Sequence, residues 1–215
     1  MGMIFFRSPA LPLPSKEYSF DQQTQFMRAL TNYFRQIDSN TPIQAEYFKG
    51  RGDQLTTPYA MLMSGSDQLS AGITSENLIE YDAPVLTNGI TIENNSEIHV
   101  PYPGQYLVTF SLQVTNRGNT VSEFEVWAKN TGVNYPMSNT RFDVPARKSS
   151  TIWSHIVPAI SGIFTVNDAS AEYLEIAWWS DSTNVYLEHY AAGTSPTRPE
   201  IPSVILTINF ISALT

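Results

Sequence analysis

The sequence contains no cysteine. That excludes disulfides, thiol chemistry and any cysteine-ligated zinc site. Charge is scarce: Asp, Glu, Lys and Arg make up 15% of the residues, against about 25% in an average soluble domain. Such a deficit arises either from surface buried against copies or a partner, or from a surface built of Ser, Thr and Asn. The net charge is -8 and no basic stripe occurs, so nucleic acid is not an expected partner. No apolar run approaches the roughly 20 residues of a membrane-spanning helix, and membrane insertion is not expected. The start, Met1-Gly2-Met3-Ile4-Phe5-Phe6, lacks the basic n-region and long apolar run of a secretory signal. Phe6 stands where a myristoylation motif requires Ser or Thr.

Catalytic signatures are missing as well. There is no nucleophile elbow, phosphate loop or dinucleotide fingerprint. The three histidines, His99, His155 and His189, read as isolated, with no carboxylate or second histidine at a ligand spacing. They are expected to be ordinary surface or partly buried side chains. Glu123 and Glu125 alternate onto one solvated strand face, and Glu172 and Glu175 are the other close acidic pair. Asn94-Asn95-Ser96 matches a glycosylation acceptor, which without a secretory signal carries no weight. The expectation is a non-enzymatic chain with no catalytic, cofactor-binding or metal-binding residues and no cofactor.

Hydrophobic residues are 42% and aromatics 12%, enough for a folded β domain with its own core plus a small appendage. Residues 1–17 read as an extended N-terminal arm: Ile4, Phe5, Phe6, Leu11 and Leu13 are interleaved with Pro9, Pro12 and Pro14, which block helix. An arm of this composition lies most simply on another surface, or folds back on its own domain. Residues 18–40 read as one short α-helix for anchoring or oligomerisation. Ser19 caps it, Gln22 completes a capping box, and Phe26, Leu30, Tyr33 and Ile37 recur on one face, widened by Met27 and Phe34. That stripe fits a short parallel bundle between copies, and equally a helix docked on its own β domain. Residues 41–56 read as a linker; its Arg51-Gly52-Asp53 spells an adhesion tripeptide that is common by chance.

From residue 57 to 215 the pattern is strands and turns. Tyr59–Met63, Glu97–Val100, Tyr106–Val114, Phe124–Ala128, Ile152–Val157, Tyr173–Trp179, Val185–Tyr190 and Val204–Ile211 are each short and rich in β-branched or aromatic residues. Asn88-Gly89, inside Ala83–Ile92, predicts a hairpin. The series predicts an antiparallel sandwich or jelly roll. Four tryptophans, Trp127, Trp153, Trp178 and Trp179, suit core or interface anchors and, less well, a sugar-stacking platform. Trp178 and Trp179 are adjacent, so a strand sends them to opposite faces.

Gly104-Gln-Tyr106-Leu-Val-Thr-Phe110 resembles the Gly-x-Tyr entry to a central strand of the C1q/tumour-necrosis-factor-like jelly rolls. Phe124–Asn130, Glu175–Trp178 with Trp179–Asp181, Thr194–Pro199, Pro202–Leu206 and the Tyr18–Asp38 block are similar to β-knob proteins of tailed-phage virions, particularly marine and cyanobacterial ones. The resemblance implies a homotrimeric jelly-roll knob on a phage particle assembled in the host cytoplasm. No collagen-like stalk is present, so the serum branch of that fold is not implied. The leading expectation is a capsid decoration (cement) or head-fibre protein. It would dock on the major capsid protein or another virion protein through Ile4, Phe5, Phe6, Leu11, Leu13, Phe26, Leu30, Tyr33, Phe34 and Ile37. Trp178, Trp179, Tyr186 and Tyr190 are the expected trimer-interface residues. The alternative is a tail-fibre or adaptor module in which the Asn134–Asn139 and Ala191–Pro202 loops bind a host surface glycan or protein.

Overall fold

The computed structural model describes residues 19–37 and 57–214, without the side chains of 35–37 and 83–85. The chain divides into two compact units, 1–55 and 56–215. The arm, the linker and the Arg-Gly-Asp tripeptide lie outside the described residues.

In the first unit, α1 spans Phe20–Ile37. The Ser19 hydroxyl accepts from the Gln22 N–H at 3.4 Å, the expected cap, and Asp21 sits in the first turn, where the dipole favours it. Thr24 and Thr31 donate to the carbonyls four residues back, Phe20 and Met27.

The second unit is β throughout. Its strands are β1 (Tyr59–Ser64), β2 (Asn77–Leu78), β3 (Ala83–Asn88), β4 (Thr91–Glu93), β5 (Glu97–His99) and β6 (Gly104–Leu112). Then come β7 (Val114–Asn116), β8 (Ser122–Asn130), β9 (Val133–Asn134), β10 (Thr140–Val144), β11 (Ser154–Ile156) and β12 (Ala159–Val166). The last are β13 (Leu174–Ser180), β14 (Val185–Leu187), β15 (Gly193–Thr194), β16 (Thr197–Arg198) and β17 (Val204–Ser212). One sheet has the order β12-β6-β17-β1-β3. A second runs β10-β8-β13-β5-β4, with β2 on β13 and β9 on β8. All strand pairs are antiparallel, and the sheets form a sandwich.

The alternation of β6 places Tyr106, Val108, Phe110 and Leu112 inward, where they join Leu206 and Ile208 of β17, Leu62 of β1, Phe124 and Val126 of β8, and Ile176 and Trp178 of β13 in one buried core. Gly104 is required by packing: a Cβ there would lie 2.5 Å from the Phe210 ring and 2.6 Å from the Ser212 carbonyl. Two residues on, Tyr106 is buried edge-on against Phe210 at 5.3 Å, and its hydroxyl donates to the Tyr102 carbonyl at 2.7 Å. The Gly-x-Tyr pattern thus has a local packing cause.

Two sequence expectations are corrected. Asn88-Gly89 does not close a hairpin: β3 pairs with β1, whereas β4 pairs with β5 in the other sheet. Gly89 (φ 74°) lets the chain leave one sheet for the other, and the Asn88 amide donates to the Thr57 carbonyl. The hairpin lies one step later. Asn94 and Asn95 take φ of 49° and 64°, and the Ser96 N–H closes the turn on the Glu93 carbonyl at 3.2 Å, as a type I′ turn demands. Nor is Tyr106–Val114 one strand. At Gln113 the chain switches sheets, and β7 pairs with β11 and β14 in a separate three-stranded sheet. The proline-bearing 191–202 segment contains the small β15–β16 hairpin, whose turn holds a cis Ser195–Pro196 bond.

Candidate functional site

The two outward faces of the sandwich differ in charge. Registers place Ala159, Ser161, Ile163 and Thr165 of β12 beside Ser111, Thr109, Leu107 and Gln105 of β6. β17 continues the face with Ile205, Thr207 and Asn209, and β1 and β3 with Met63, Met61, Tyr59, Leu86 and Asn88. None of these is Asp, Glu, Lys or Arg. Leu107, Ile163 and Leu86 are well exposed in the protomer. Thr109 and Ser161 satisfy one another across the strands at 2.8 Å. At strand spacings this face measures about 20 Å by 26 Å, roughly 500 Å² before side-chain relief. That is the scale of one partner's share, about 800 Å², of a specific interface. The edge strand β12, Ala-Ile-Ser-Gly-Ile-Phe-Thr-Val, carries no charge or proline, the features that normally guard an exposed edge.

The opposite face carries the charge. Glu123 and Glu125 of β8 face outward together, and Arg141 of β10 reaches Glu123 at 2.7 Å. Burial, then the neighbouring Glu125, push the Glu123 carboxyl up. Glu175 of β13 lies opposite Lys129 of β8, which pairs with Glu76; both Glu175 and Lys129 are buried. At the far side of this sheet Glu93, Glu97 and His99 converge, with their candidate ligand atoms all within 4.8 Å of one another. In sequence His99 stands alone; the strand register gives it two carboxylates. Glu97-x-His99 is a same-face strand spacing, and Glu93 arrives across the Asn94-Asn95 turn through the Glu93↔Glu97 pairing.

A third cluster binds the small sheet together. Glu188, 4% exposed, accepts from Thr115 and Tyr190 hydroxyls at 2.6 Å each. His155 Nδ1 lies 2.8 Å from Thr115 Oγ1 and 3.0 Å from the Tyr190 hydroxyl. The Arg117 guanidinium sits 4.0 Å over Trp153 and 4.2 Å over Tyr186, and 3.4 Å from Glu188. Burial alone would raise the Glu188 carboxyl; the Thr115 and Tyr190 hydroxyls, with Arg117, outweigh it and hold the group below its ordinary range. Tyr190 is pushed up to about 12 by burial and by its bond to Glu188. Both hydroxyls are spent on one carboxylate oxygen, so the cluster works as a clasp between β7, β11 and β14.

The expected interface residues do not share one surface. Trp178 is wholly buried, stacked on Phe124 at 5.7 Å, and Tyr186 is buried beneath Arg117. Neither offers its ring to the surface of the protomer. Trp179 is half-buried on the charged face, donating to the Ile73 carbonyl at 2.7 Å, and Tyr190 belongs to the clasp. Of the expected docking residues, Ile4, Phe5, Phe6, Leu11 and Leu13 lie outside the described residues. Phe26, Leu30, Tyr33 and Phe34 lie on α1, with Phe26 and Phe34 exposed within its unit. Ile37 ends the helix. Compared with known proteins, the sequence matches no family model and no curated protein.

Proposed function

We propose that this chain is a non-enzymatic structural protein of a tailed-phage virion: a homotrimeric capsid decoration or head-fibre protein. Its knob would be a C1q/TNF-like jelly roll. One observation carries the assembly half of this reading: the charge-free outer face of β12-β6-β17-β1-β3. Twenty Asp and Glu and twelve Lys and Arg occur in the chain, yet none faces outward from these five strands. A surface in permanent contact with water gains solubility from charge; one that a copy covers would pay to desolvate it. The low overall charge then has a place: the five strands of this sheet contain no Asp, Glu, Lys or Arg at all. The phage setting rests on the segment resemblances given above, and docking is proposed through the apolar residues of the arm and the apolar stripe of α1. The direct test is the solution mass of the full chain by light scattering. The protomer is 24.0 kDa, and a trimer is expected at about three times that mass; a monomer at micromolar concentration would overturn the assembly.

A second reading, the host-recognition module, is favoured by one feature. Trp127, Tyr135, Met137, Ile160 and Phe164 line a groove of about 290 Å³ beside the 134–139 loop. The Trp127 indole is fixed by donating to Asn134 Oδ1 at 2.9 Å. Loss of adsorption on Trp127→Ala, with particle stability intact, would favour it over decoration.

A further inference from the structure

We propose that Glu93, Glu97 and His99 form a binding site for one divalent first-row transition ion of the zinc class. The site is built by the β4–β5 hairpin. Strand alternation puts Glu97 and His99 on one face, and the Asn94-Asn95 turn brings Glu93 directly opposite Glu97. His99 Nε2 stands 3.7 Å from a Glu93 carboxylate oxygen and 3.6 Å from one of Glu97. Those distances are too long for hydrogen bonds, and Nε2 is enclosed without any hydrogen-bond partner. They are close to the edge of a coordination tetrahedron: an ion held at about 2.0–2.1 Å from each of two ligands sets those ligands about 3.3–3.4 Å apart. A movement of a few tenths of an ångström would close each carboxylate on the imidazole, and the two carboxylates, whose oxygens lie within 4.8 Å of one another, would draw together on one ion. The His99 ring is steadied by Tyr173, 5.4 Å away centroid to centroid, so the imidazole is held in place before an ion arrives.

The donor set selects the ion. One imidazole nitrogen with two carboxylates suits zinc and its first-row neighbours, whereas calcium and magnesium favour all-oxygen shells. Lys129, on the same sheet face, pairs with Glu76 rather than with these two carboxylates. Glu93 is 64% exposed at its side chain and Glu97 19%, so an ion can enter from solvent and keep water at its remaining position. Bound there, it would tie β4 to β5 across the turn.

The test is calorimetric titration of the purified full chain with zinc chloride in chelator-free buffer. About one ion per chain is expected. His99→Gln and Glu93→Gln should each weaken binding at least about tenfold, the loss that removing even an outer-shell partner of a metal causes; Glu93 is exposed enough that its substitution leaves the fold intact, checked by circular dichroism. His155→Gln and His189→Gln should bind as the parent does. Zinc should raise the melting temperature of the parent and not of His99→Gln. Absence of stoichiometric binding, or binding unchanged in folded Glu93→Gln and His99→Gln, would overturn the site.

Discussion

Placing a carboxylate in the proposed uncharged interface should dissolve it, and Ile163→Glu should do this with little effect on the protomer. Ile163 lies on the edge strand β12, opposite Leu107 and 57% exposed. In an isolated domain a surface change of this kind alters stability by about 0.5 kcal/mol or less. Between copies the balance differs. Full burial of an isoleucine is worth about 1.5–3 kcal/mol, so the exposed share forfeits about 1 kcal/mol per copy. The introduced carboxylate meets no cation on the face, and an unpaired buried charge adds several kcal/mol. A total near 4 kcal/mol per copy weakens each contact roughly a thousandfold. Light scattering across a dilution series reads this directly: Ile163→Glu should run as a folded monomer at concentrations where the parent is expected as the proposed trimer. Val121→Glu, at a residue 60% exposed outside that face, should leave assembly unchanged. If Ile163→Glu associates as strongly as the parent, the uncharged face is not the interface.

Three further outcomes follow from the fold. Trp178→Ala should cost about 3–5 kcal/mol in chemical denaturation, since it empties a fully buried site; Trp179→Ala should cost less, since it gives up the bond to Ile73 and a ring that is only partly buried. Gly104→Ala should destabilise by about 1–3 kcal/mol, because its Cβ strikes the Phe210 ring and the Ser212 backbone. Glu188→Gln should lose about 1.5–3 kcal/mol at neutral pH, the worth of hydrogen bonds to a charged group. The Glu188 carboxyl lies below its ordinary value when folded. Its stabilisation is therefore complete above the ordinary carboxylate range and lost as pH falls through the lowered value. The parent's acid limb should flatten in Glu188→Gln, and an unchanged limb would contradict the clasp.

Much of the sandwich was legible because its long strands alternate cleanly. β6 and β8 place every second side chain in the core, β17 does so from Val204 to Ile208, and Trp178/Trp179 split between faces as adjacency requires. β12 is not legible as a strand because its apolar residues are interrupted by Ser161 and Gly162 and its inward set is only partly buried. Asn88-Gly89 misled because a residue with positive φ serves a passage between sheets as well as a hairpin. The uncharged face was invisible for a different reason: its members come from five strands spread over residues 59–209, and only the sheet order makes them neighbours. The composition did carry its trace, as missing charge. Glu97-x-His99 was readable as a same-face pair; Glu93 needed the register.

The most direct measurement of the proposed virion role is copy number per particle, by quantitative mass spectrometry of purified phage particles against their major shell protein. A count comparable with the shell subunit is predicted for capsid decoration. A count of a few tens or fewer would move the chain to the tail or a single vertex, and its absence from the particle would contradict a virion role altogether.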